Sequence, residues 1–242
     1  MIRPQPSTVS TRSALIRLAS TMPKGSPARR KLLAITVSYP GAVQLDSLDF
    51  GGDAINIPGR HILEAAQVVD NAKVHGKGRV FGRAHLTWYA EVYGEAEVYG
   101  DAEVSGHAHL YGEAEVYDHA RVYDHARVYD LGRIGGNASV FGHARVFDYA
   151  RIAGWAAVYG NSEVFDHAHV TDRARVMGKA RVGGKARIYG NAHIYDNAHV
   201  MGNARVGGEA RIGGDAVILG GMWDGSEGEI TQGHWLAPGV PA

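Results

Sequence analysis

The chain has 242 residues, with 25 Lys and Arg against 25 Asp and Glu, so its formal net charge is zero and overall charge selects no class of partner. It contains no cysteine. That excludes disulfides, thiolate metal sites and cysteine nucleophiles, and suits a reducing, cytoplasmic setting. No apolar run approaches the roughly 18 residues of a membrane span, so no transmembrane segment is expected.

Residues 1–45 carry seven basic residues (Arg3, Arg12, Arg17, Lys24, Arg29, Arg30, Lys31) and no acid before Asp46. Ser, Thr and Pro are frequent, as in a flexible arm. An acid-free, Arg-rich start also resembles a transit peptide, and Met22 offers an alternative start. Contact with nucleic acid or a membrane surface is expected only through this arm, if at all. Residues 46–65 lack any repeat. There Ala54-Ile55-Asn56-Ile57 alternates like a strand and Pro58-Gly59 reads as a turn, so the segment is expected to cap the structure that follows.

Residues 66–220 repeat in sixes. From Val68 to Ile218, through Val92, Leu110, Val128, Ile152, Val182 and Val200, every sixth residue is Val, Ile or Leu, giving 26 hexads. Two residues earlier stands Ala, replaced only by Gly78, Gly132 and Ser162. Two residues later stands Gly or Asp, with Trp88 the one exception. The Ala and the branched residue share parity, so both face the same side of a short strand, and that side must be the interior. Gly and Asp tolerate the left-handed backbone that a corner needs. Three hexads make one triangular coil of 18 residues. The hexads give about 8 to 9 such coils at about 4.8 Å each, a prism on the order of 40 Å long. After Gly220 the beat stops. Residues 221–242 are expected to form a cap without regular helix, with Trp223, Trp235, Ile230 and Leu236 plugging the end.

The pattern of an aliphatic residue followed four later by a small one (Val74 and Gly78, Val80 and Ala84, Val92 and Ala96) resembles the hexapeptide-repeat proteins. The flavour of Tyr189-Gly190-Asn191-Ala192-His193-Ile194 is most similar to their transferase-like bacterial and phage members. The resemblance implies an all-β, single-stranded, left-handed parallel β-helix. It also implies side-by-side packing as trimers and, in active members, acyl transfer from acetyl-coenzyme A or an acyl carrier in a groove between subunits, with a His as general base.

Residues 18 apart stack in columns. The residue after each core position points outward, and one such column reads Tyr93, Tyr111, Tyr129, Phe147, Phe165. Cross-strand pairs of this kind stabilise a sheet by roughly 0.2 to 1 kcal/mol each. A contiguous exposed strip would also mark a contact site. His107, His125 and His143 share one corner column, where a metal is conceivable but a solvated row is the plainer reading. Asp118-His119, Asp124-His125 and Asp166-His167 look like dyads, yet Asp holds the turn slot and His merely follows it. Charge is segregated: Glu91 to Asp118 holds eight acids and no Lys or Arg, while His169 to Arg211 holds eight bases against three acids. Pairs Glu103–Arg121 and Glu115–Arg133 are expected across coils, and antiparallel association of acidic with basic halves is expected between molecules.

Two functions remain open. One is a non-catalytic solenoid that binds a protein partner or itself, with no cofactor. The other is an O- or N-acyltransferase using a coenzyme A thioester, with His167, His169, His193 or His199 as base. Against the second, 26 hexads pass without an inserted loop, and a smooth prism offers little concavity.

Overall fold

A computed structural model describes residues 66–238 and 240–241. The arm (1–45) and the N-terminal cap (46–65) lie outside the described residues. Those described form an all-β solenoid of about nine turns, of the left-handed β-helix type, with no helix among them. Each hexad contributes one two-residue strand, beginning with β1 (Gln67–Val68), β2 (Lys73–Val74) and β3 (Arg79–Val80) and continuing to β26 (Val217–Ile218). Strand n pairs in parallel with strand n + 3, so the chain winds three flat faces. Face one has ten strands from β1, face two eleven from β2 and face three nine from β3.

The interior is the repeat itself. The Ala of each hexad and the Val, Ile or Leu two residues on are buried along the whole tube. Burying one such branched side chain is worth about 1.5 to 3 kcal/mol relative to exposure. Ser162 is the buried polar exception, and its hydroxyl donates to the Tyr159 carbonyl at 2.9 Å. Coils are joined at strands and corners alike: Glu91 N–H donates to Ala108 O (2.9 Å), Tyr93 to Leu110 (2.9 Å) and Glu95 to Gly112 (2.7 Å).

Corners place one residue in the left-handed region, and Asp does this as Gly does (Asp118 at φ 58°, Asp124 at 60°, Asp172 at 58°). The Asp carboxylate adds a bond that Gly lacks, because it accepts the N–H of the matching residue one coil on. Asp118 takes Gly136 N–H at 3.1 Å, Asp124 takes Gly142 at 3.1 Å and Asp166 takes Gly184 at 2.8 Å.

The sequence beat ends at Gly220, but the winding does not. β27 (Met222–Trp223) pairs with β24 (Arg205–Val206), β28 (Glu229–Ile230) with β25 (Arg211–Ile212), and β29 (His234–Ala237) with β26. The spacing Val206 to Trp223 and Ile218 to Trp235 shortens to 17 residues, and indoles replace the branched side chains. Trp223 is buried, meets Trp235 edge-on at 6.3 Å and donates its Nε1–H to Gly220 O at 2.7 Å. Thus Trp223, Ile230 and Trp235 plug the end as part of a further coil, whereas Leu236, expected to join them, points to the other side of its strand and is exposed, and β30 (Val240–Pro241) folds back antiparallel on β29.

Candidate functional site

Outward columns are where chemistry can sit. On face two the rings of Tyr93, Tyr111, Tyr129, Phe147 and Phe165 stack nearly parallel, with successive centroids 5.1, 4.8, 4.9 and 5.3 Å apart. Shorter ladders run through Phe81, Tyr99 and Tyr117 on face three and through Tyr123, Phe141 and Tyr159 on face one. Stacking turns ring faces toward one another and leaves edges outward, so all five face-two rings are half-buried rather than exposed. Burial raises the hydroxyl pKa of Tyr93, Tyr111 and Tyr129 above the usual phenol value. Phe165, last in the row, lies over Gly183 with the Arg181 guanidinium 5.2 Å from its centroid.

The corner between faces one and two carries a second ladder. Tyr89, His107, His125 and His143 stack at 4.9, 5.1 and 4.9 Å with interplanar angles of 8° or less. In parallel rings the nitrogen lone pairs lie in parallel planes and do not converge on one ion. Among the described residues no group of three His, Asp or Glu is placed to hold a metal.

The four histidines suggested for base catalysis are dispersed. His167 is on an exposed corner, stacked on Tyr149 at 4.8 Å. His169 is on face three, His193 on face one with Nδ1 3.5 Å from Arg211, and His199 on face two. None pairs with a carboxylate among the described residues, whereas His75, His109 and His119 each lie within 4 Å of one. Burial first, then neighbouring arginines, lower the pKa of His169 (Arg151, Arg187) and His193 (Arg175, Arg211) below the ordinary imidazole value.

A feature the sequence reading did not assemble is an open trough of about 430 Å³ beside the corner between faces three and one, lined by Arg83, His85, Asp101, Glu103, His119 and Arg121. Arg83 holds Asp101 at 2.6 Å, Arg121 holds Glu103 at 3.3 Å, and His119 Nδ1 stands 3.8 Å from Asp101. The Arg83 hydrogen bond keeps the Asp101 carboxyl below its usual range. Both carboxylates are therefore occupied by guanidinium groups, and the trough holds no hydroxyl or thiol nucleophile. The signal was present as two columns of spacing 18 offset by two residues. The Asp-His neighbours, by contrast, do not act together: Asp118 and Asp124 spend a carboxylate oxygen on the backbone, and His119 turns to Asp101 one coil away.

The same geometry sets partners against most of the segregated acids. Lys73, Lys77, Arg79 and Arg83 stand one coil before Glu91, Glu95, Glu97 and Asp101 and pair with them. The expected Arg121–Glu103 and Arg133–Glu115 pairs form at 3.3 and 2.9 Å. Six of the eight acids thus have a cation partner within the molecule. No helix among the described residues is long and apolar enough to cross a membrane. Compared with protein-family models, curated proteins and solved structures, the chain matches none.

Proposed function

We propose that this chain is a non-catalytic solenoid of the hexapeptide-repeat type, a stiff rod that associates with itself, as a trimer, or with a protein partner through face two. The observation that carries this reading is the unbroken row of ring edges from Tyr93 to Phe165 over five coils. Aromatic edges on a flat sheet supply large contact area at small entropic cost, and such rings are enriched where proteins meet. The coils carry no projecting loop between Val68 and Ile218, and the dispersed histidines lack oriented carboxylates, which favours a contact role over catalysis.

Sedimentation of the wild-type chain and of Tyr111→Ser/Tyr129→Ser tests it. The wild type should sediment as a trimer and the variant as a monomer of unchanged circular dichroism. A monomeric wild type would overturn the self-association. Calorimetry with coenzyme A separates the acyltransferase reading, because tight binding by the trimer would assign the groove between subunits to acyl transfer.

A further inference from the structure

The two halves of the prism treat charge differently. Between Lys73 and Arg133 most cations pair with a carboxylate one coil away. On the later part of face three they do not. There the strand column reads Arg151, His169, Arg187, Arg205, each directly opposite the next. Arg187 and Arg205 are like charges in direct register, which destabilises a sheet. Among the described residues none of Arg151, Arg187 and Arg205 is ion-paired, and all three are exposed. Arg173 and Lys185, on the two corners that bound this face, are likewise exposed and unpaired.

Nearby carboxylates are already engaged. Glu163 bridges Arg145 and Arg181 on face two, Asp166 and Asp172 accept the N–H groups of Gly184 and Gly190, and Glu209 accepts from Asn191. Beside the arginine column the outward residues are small, Ala153 and Thr171. They form a low shelf between the ring of Tyr117, which lies over Gly135, and that of Tyr189, which lies over Gly207. On the corners flanking the shelf stand Trp155, 65% accessible, and Tyr149, whose ring is stacked on His167.

We propose that face three from Arg151 to Arg205 is a binding surface for single-stranded nucleic acid, with phosphates along the arginine column and a base on the indole of Trp155. A cationic track beside exposed aromatic faces is the arrangement that holds single strands without sequence preference. Guanidinium groups pair with phosphate oxygens in bidentate fashion, and a bound phosphate row relieves the repulsion built into the column. A duplex keeps its bases stacked internally and would leave the indole idle. This surface is separate from the face-two ladder, and either assignment can fail without the other.

The test is fluorescence anisotropy of a labelled oligothymidylate with the full chain over a salt series. Wild type should bind with an affinity that falls steeply with salt. Arg151→Gln/Arg187→Gln/Arg205→Gln should weaken binding more than tenfold and reduce the slope of log affinity against log salt by about 0.7 per arginine removed. Trp155→Ala should weaken it fivefold or more while leaving the slope unchanged, and Lys77→Gln/Arg79→Gln, at paired positions, should change it less than twofold. Circular dichroism of every variant should match wild type. Absence of wild-type binding at low salt would overturn the proposal. So would full binding by the triple variant, which would move the contact elsewhere on the chain. Equal binding of a duplex or of heparin with no effect of Trp155→Ala would reduce the surface to a general polyanion contact and equally overturn it.

Discussion

Trp88 shows how strictly the corner dictates backbone. It occupies the slot that Gly or Asp fills in the other hexads, and it is held there at φ 62° with its indole exposed. The left-handed region costs an ordinary L-residue about 1 to 2 kcal/mol, which a bulky side chain does not escape. Its N–H still donates to Asp70 at 3.2 Å, so the backbone role survives the wrong residue. Trp88→Gly should therefore raise stability by up to about 1 kcal/mol, the relief of strain being partly offset by glycine's larger entropy loss. The midpoint of urea unfolding measures it, and a lower midpoint would mean that the indole contributes packing. At this scale the sequence was legible where side-chain type reports backbone, as with Asp118 or Gly136. It was silent on what the Asp carboxylates bond, because that partner lies 18 residues away.

A single coil is the unit in which strands, columns and ladders make sense. The Ala and Val positions were readable because only one small and one branched side chain per wall fit the tube. The last coil was not, because its spacing drops to 17 and Trp223 and Trp235 take branched positions that no hexad pattern announces. Columns also set titration. His109, His169 and His193 each sit in a strand column, and burial is the first cause that lowers their pKa values. Cations in the columns act in the same direction: Arg127 on His109, Arg151 and Arg187 on His169, Arg175 and Arg211 on His193. A depressed imidazole pKa means that the unfolded chain binds more protons just below the ordinary value. The stability held by these neutral rings is thus complete above about pH 6.5 and is lost as pH falls toward the folded values. The paired carboxylates Glu95 and Asp101, whose pKa values Lys77 and Arg83 lower, act only further into acid. The urea midpoint should accordingly fall between about pH 7.5 and about pH 5.5, and His169→Gln should flatten that dependence. A midpoint constant over this range would refute the account.

At the scale of the molecule, the hexad beat specified the rod, while the charges along it have to be read coil by coil. Charge counted along the chain ignores that cations of one coil lie against acids of the next, so Lys73 to Arg83 cancel most of Glu91 to Asp101. Among the described residues the cations without an ion pair include the basic stretch on face three, together with Arg127 on face two and Arg175 on face one. Stability in such a stack is mainly a sum over neighbouring coils. Nothing in that sum favours a particular number of layers.

That makes the return strand β30 more than a loose finish. A tube assembled by repeating one layer has no intrinsic stopping point, and its last rung is a template for the first rung of another molecule. By doubling back on Trp235 and Ala237, Val240 and Pro241 occupy the rung on one wall with a segment running the wrong way for continued winding. Proline, having no N–H, also offers no donor to a further strand at its position. Removal of residues 238–242 should leave circular dichroism intact yet let the protein polymerise end to end. Light scattering that rises with concentration would reveal it, while a truncated chain that stays dispersed would mean that growth is arrested somewhere else.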